Sequence, residues 1–147
     1  MTTTALTTDL GFSPHNTEGY PDPTAYKALK NLQRAEYGYR PLVYICSPYS
    51  GDTENNVELA RTLSAHAVAQ NKIPLAPHLL FPQFMDDTDA SERELAMFFN
   101  RILLSKCEAI WVYTARVSAG MRAEIEWAHH LELPITYLDA DFQEVTL

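Results

Sequence analysis

From Pro41 onward, short apolar runs alternate with longer stretches in which apolar residues recur every three or four positions. The runs Leu42-Val-Tyr-Ile-Cys46, 73–76, Ala109-Ile-Trp-Val-Tyr113 and 135–138 have the length and β-branched content of buried strands. Between the first two, Val57, Ala60, Leu63 and Ala67 form an inward helical face that runs to about Gln70, with Asn71 as a left-handed stop. Residues 77–90 hold two prolines and three aspartates and read as a long irregular loop. Ser91 and Glu94 then make a capping-box pattern, opening a helix that carries Leu95, Phe98, Ile102 and Leu103. A further helix starts at the small residues Ser118, Ala119 and Gly120. Strands alternating with helices mean a parallel sheet with right-handed crossovers. The expected fold is α/β, a flavodoxin-like or Rossmann-like three-layer sandwich.

The start of the chain follows a different pattern. Residues 1–21 carry six threonines and several turn formers without a sustained period, and read as a flexible arm. Asp22 before Pro23 supplies an N-cap and a first-turn proline for a helix reaching about Tyr37. Ala25, Leu29 and Leu32 give that helix only a narrow apolar stripe, suited to packing on the outside of the domain or on a second subunit. The expected organisation is an arm and helix over residues 1–40 and one domain over 41–147.

Composition narrows the function. At 147 residues with 46% hydrophobic content, the chain suits one globular domain with a proper core. A net charge of −8 argues against nucleic-acid binding, because a phosphate backbone would be repelled. A small anionic nucleotide remains compatible, since helix N-termini and local cations can hold it. No apolar run approaches the roughly 18 residues of a membrane span, and the N-terminus lacks the basic and apolar regions of a signal peptide. Cys46 and Cys107 flank predicted buried strands, which suits reduced thiols and a cytoplasmic location. Two cysteines do not make a zinc site, and no metal is expected.

Candidate chemistry collects at the carboxyl ends of the strands, where ligands bind in open α/β sheets. Three strand ends meet there. They bring Tyr44 with the turn 47–52, His78 with its loop, and the segment Ser118-Ala-Gly-Met-Arg-Ala-Glu124. On the last helix Glu124 is spaced four residues from both Gly120 and Ala128, and so shares their inner face with Met121 and Leu131, whereas Glu126 should be solvated. A carboxylate on an inward stripe near a strand end is a candidate catalytic group. Each element also has a plain structural role: Tyr44 as a core aromatic, His78 bonded to a loop carbonyl, Ser118 as a helix cap. Asp86, Asp87 and Asp89 fit a solvated acidic loop better than a cation site, because no phosphate-loop lysine accompanies them. The turn after the first strand has one glycine, Gly51, and is no dinucleotide fingerprint.

Taken together, Val43-Tyr-Ile-Cys-Ser-Pro-Tyr-Ser-Gly-Asp52, Ala76-Pro-His-Leu79, Cys107-Glu-Ala-Ile-Trp-Val112 and Ser118-Ala-Gly-Met-Arg-Ala-Glu124 resemble the nucleoside 2-deoxyribosyltransferase-like superfamily. They look most like an uncharacterised bacterial and phage branch related to the 2′-deoxynucleoside 5′-monophosphate N-glycosidases. The resemblance covers about residues 41–139. It implies that Glu124 is the nucleophile and that Tyr44 hydrogen-bonds and orients it. It also implies that Ser118 meets a 5′-phosphate and that His78 lines the pocket, with Ser47, Ser50, Gly51, Gly120 and Met121 binding substrate. One departure stands out. The family's aspartate that assists the leaving base aligns with Asn100, and an amide cannot donate a proton as a carboxylic acid does.

The resemblance implies cleavage or transfer of an N-glycosidic bond on a nucleoside or nucleotide, without metal or organic cofactor. A carboxylate stabilises the oxocarbenium character at C1′ and captures it covalently; water or a second base then resolves the intermediate. Such a nucleophile must be ionised, and a Tyr44 hydroxyl is expected to keep it a carboxylate. The alternatives are a module that binds a nucleotide or nucleotide-derived signal without turnover, and an oligomeric scaffold. The family also implies a homo-oligomer, at least a dimer, with the pocket near a subunit interface; Tyr20, Tyr26 and Tyr37 add interface-type aromatics.

Overall fold

A computed structural model describes residues 23–147. Contacts divide the chain into two units, with the boundary between Tyr39 and Arg40. In the first, α1 (Pro23–Tyr37) begins at Pro23 as its sequence requires. Ala25 and Leu32 on its expected stripe are exposed and Leu29 is half-buried, while Lys30 Nζ lies 5.0 Å from the Tyr26 ring centre. The arm, Tyr20 and the expected cap at Asp22 lie outside the described residues.

The second unit runs β1 (Leu42–Cys46), α2 (Thr53–Ala69), β2 (Ile73–Leu75), two short 3₁₀ turns (Pro77–Leu79 and Phe81–Gln83), α3 (Ala90–Lys106), β3 (Ala109–Tyr113), α4 (Ala119–His130), β4 (Ile135–Leu138) and β5 (Glu144–Val145). The sheet order is β2-β1-β3-β4-β5. The first four strands are parallel and β5 pairs antiparallel to β4. This is the expected three-layer α/β fold, extended by an antiparallel edge strand that two residues were too few to announce.

Alternation along β1 and β3 builds the two faces of the sheet. Val43, Ile45 and Trp111 pack with Leu63 and Ala67 of α2 on one face. Tyr44, Cys46, Ile110 and Val112 pack with Leu104 of α3 and Met121 and Ala128 of α4 on the other. Asn71 ends α2 with a φ of 62°, the left-handed stop its amide tolerates.

Several local expectations are corrected. The cap of α3 is Asp89, whose carboxylate accepts from the Ser91 and Glu92 amides; the Ser91 and Glu94 box does not form. A carboxylate one position outside the helix reaches two orphan amides, and so outcompetes the serine. In α2 the buried positions are Asn56, Ala60, Leu63 and Ala67, so Asn56 takes the place expected for Val57. In α3 the buried positions are Asn100 and Leu104, whereas Leu95, Phe98 and Ile102 face outward, Phe98 with 54% of its surface exposed. Of the four apolar residues read on this helix, Leu103 is half-buried against the core and the other three are exposed.

Candidate active site

The strand order sets the position of the site. From β1 the chain goes outward to β2 and returns across β1 to β3, so the segments leaving β1 and β3 part to opposite faces and leave a crevice between them. A cavity of about 350 Å³ opens there. That lies within the roughly 300–1,000 Å³ typical of small-molecule sites. Its walls come from the turn after β1, both 3₁₀ turns, α3 and the start of α4.

Glu124 lies at the inner wall, 6% exposed, on the same buried side of α4 as Met121 and Ala128. Its two carboxylate oxygens are held from β1. The Tyr44 hydroxyl donates to Oε2, and the Cys46 thiol lies 3.7 Å from Oε1. The same thiol also lies 3.8 Å from the Met121 carbonyl. Because side chains 44 and 46 leave the strand on one face, β1 reaches Glu124 with two donors. Burial pushes the Glu124 carboxyl up to about 7, against the Tyr44 and Cys46 bonds, which favour the ionised form. The tyrosine therefore orients the carboxylate but does not keep its pKa low, since desolvation outweighs two hydrogen bonds. Burial and the facing carboxylate together push the Tyr44 and Cys46 pKa values up, so both remain protonated donors.

The other sequence-derived candidates fall in different places. Asn100, His78, Ser50, Ser118, Gly120 and Met121 all line the cavity with Glu124. Ser118 is also the N-cap of α4, its Oγ accepting from the Met121 amide at 3.2 Å. Gly120 is exposed in the first turn, not buried on the Glu124 stripe. Tyr44 is fully buried behind Glu124, out of the cavity wall. Ser47 is buried at the strand end and its hydroxyl has no partner among the described residues. Gly51 holds a φ of 94°, which a side chain would strain, and is exposed outside the wall. His78 bonds the Ser47 backbone and stacks on Tyr49, with ring centres 5.1 Å apart. Burial lowers its pKa, although Ser47 and the nearby Asp87 pull the other way. Asp86 and Asp89 are occupied locally, by Thr88 and by the α3 cap.

Sequence reasoning missed three residues here. Cys46 was read only as a core thiol. Asn56 is fully buried and donates from Nδ2 to the Tyr49 and Ser50 carbonyls, at 2.9 and 3.2 Å, while its Oδ1 accepts from Arg116. A polar residue on the inner face of an otherwise apolar helix was the signal available for Asn56; Arg116 left none.

Residues 41–138 match a family described as a domain of unknown function, DUF7768. The chain belongs to the DUF7768 family. The match covers β1 through β4 and so contains every wall of the cavity. No curated protein matches this DUF7768 chain. Among solved structures, it is similar to a 2-desoxiribosyltransferase from Leishmania mexicana, with a TM-score of 0.53 and 18% identity over 69% of this chain and 65% of that one. The chain thus spans less than two thirds of that relative. It is also similar to a 2-deoxyribosyltransferase from the psychrotolerant bacterium Bacillus psychrosaccharolyticus, with a TM-score of 0.53 and 10% identity over 71% and 77% of the two chains. At these identities the likeness establishes that this DUF7768 domain shares their fold.

Proposed function

We propose that this protein cleaves or transfers the N-glycosidic bond of a nucleoside or nucleotide through Glu124. The single observation that carries the reading is the buried Glu124 carboxylate in the wall of the cavity, with Tyr44 and Cys46 behind it. The deoxyribosyltransferases that share the fold make a nucleoside the first substrate class to test. In the first step a Glu124 oxygen bonds to C1′ as the C1′–N bond breaks, and its electron pair leaves with the base. In the second step water or another base attacks C1′, and the C1′–O bond returns its pair to the carboxylate. A carboxyl that titrates near neutrality suits this role, being ionised at pH 8 and, among the described residues, held without a counter-cation that would weaken it as a nucleophile.

A second reading is favoured by Asn100. With an amide at the place where the resemblance calls for an acid, the cavity would bind a nucleotide or nucleotide-derived signal without turnover. Chromatography of free base released from nucleosides, nucleotides and dinucleotides separates the two. Release that is lost in Glu124→Gln supports the enzyme. Stoichiometric binding that survives Glu124→Gln, with no product from the wild type, supports the binding module. A Glu124→Ala variant that folds yet keeps near wild-type turnover removes Glu124 from the mechanism.

A further inference from the structure

Four buried side-chain polar atoms have no partner among the described residues: Ser47 Oγ, Ser64 Oγ, Asn100 Oδ1 and Trp127 Nε1. Of these four, Asn100 is the one that lines the cavity of about 350 Å³ together with Glu124. It is 5% exposed, and its Nδ2 meets nothing better than the Met97 sulfur at 3.9 Å. An amide buried in this state is destabilising. Leucine would fill the position without that cost. A ligand that completes both ends of the amide accounts for its presence.

We propose that Asn100 reads the base of the substrate, and that the base it selects carries an exocyclic amino group beside a bare ring nitrogen, as adenine and cytosine do. The inference rests on the glycosidic reading above and specifies which substrates that site takes. A planar amide offers one acceptor and one donor side by side, and its bidentate match is an edge with an amino donor next to a ring-nitrogen acceptor. Keto bases present N–H beside C=O, and a rotated amide can meet that edge too. The rest of the wall decides between them. Asp86, Asp87 and Glu92 line the same cavity, with Arg93 the one arginine or lysine among the residues lining it. Burial disfavours the charged form of His78, which also lines the wall. The excess of carboxylates favours the electron-poor amino group over a carbonyl oxygen. As C1′–N breaks, the electron pair stays on the glycosidic nitrogen and spreads by conjugation through the ring, and the amide N–H would hydrogen-bond the ring nitrogen beside the amino group. No proton passes from Asn100, and solvent supplies the one the free base finally carries.

The test uses the full chain carrying Glu124→Gln, so that binding is read without turnover. Calorimetry compares 2′-deoxyadenosine with 2′-deoxyinosine and 2′-deoxycytidine with 2′-deoxyuridine. A bidentate pair discriminates by about 1–3 kcal/mol, so the amino member should bind about five- to 150-fold tighter. Adding Asn100→Leu should erase that preference while the melting temperature holds or rises. Should Asn100→Leu fail to fold, Asn100→Asp replaces it: the carboxylate keeps the acceptor and loses the donor, so binding weakens while an amino preference remains. Equal affinities within each pair, or a preference unchanged by Asn100→Leu, overturn the inference. An amino preference in a wild-type protein that releases no base leaves the inference standing and removes the catalytic reading. A chain that binds neither the four nucleosides nor their 5′-monophosphates overturns both.

Discussion

At Glu124 two demands conflict. The proposed role as nucleophile needs Glu124 ionised, yet burial holds its pKa near 7, well above an ordinary carboxylate. The sign follows directly. A raised native pKa means the folded state binds more protons than the unfolded one between about pH 4.5 and 7, so stability falls as pH rises through that window. Glu124→Gln, which removes the ionisation, should therefore gain stability over the wild type at pH 8, by on the order of 3 kcal/mol. Denaturant unfolding at pH 5 and pH 8 reads this directly; a gain equal at both pH values would refute the raised pKa. Catalysis should run the other way, with kcat/KM rising through an apparent pKa of about 7. Cys46 provides a finer probe, because its thiol is the donor nearest Oε1. Cys46→Ala should move the acidic limb to higher pH and Cys46→Ser to lower pH. Carboxyl titration by infrared spectroscopy checks the same shift without needing turnover, and an unmoved limb in both variants would remove Cys46 from the site.

Among the elements, the decisive link joins two loops. The turn after β1 carries Tyr49 and Ser50 into the cavity wall, and the segment after β3 carries Ser118. Asn56 at the start of α2 holds the first through two carbonyls and is held by Arg116 of the second. All three bonds involve a fully buried side chain, so none can be exchanged for water at little cost. Asn56→Ala should cost about 1–3 kcal/mol in stability and raise KM more than it lowers kcat, since the Tyr44, Cys46 and Glu124 constellation stays in place. Arg116→Lys, which keeps the charge and loses the planar fork, should show a smaller KM effect in the same direction. Steady-state kinetics on whichever nucleoside turns over decides this, and a fall confined to kcat would show that the latch acts on the nucleophile instead.

For the molecule as a whole, the proposal of a homo-oligomer shifts its ground. The narrow stripe of α1 motivated it, but Leu95, Phe98 and Ile102 on α3 are a stronger reason, being large apolar side chains left in water at helical spacing. Phe98 continues through Phe99 and Phe81 to the exposed Phe84 in an unbroken series of ring contacts beside the cavity. Light scattering at micromolar concentration should give at least twice the 16.6 kDa chain mass. Phe98→Glu, on an exposed position, should dissociate the assembly with little loss of fold stability. A monomeric wild type that turns over substrate would remove both the oligomer and any shared pocket. Among the described residues no helix is long and apolar enough to cross a membrane.

Apart from Asn100, which only the family resemblance pointed to, the sequence by itself determined β1, β3 and β4 to the residue, the parallel core of the sheet, and the wall residues Glu124, His78 and Ser118. These depend on local period and on which strand end a residue follows, and both are properties of the chain read in order. Three things were decided only by the tertiary structure. Which apolar side chains of α3 turn inward depends on what packs against it, and Leu95 and Phe98 stay exposed while Leu104 is buried. Whether Asn56 is a surface amide or a latch depends on Arg116, sixty residues away along the chain. The protonation balance of Glu124 depends on burial competing with donors from another strand, and no spacing along one helix encodes the outcome of that competition.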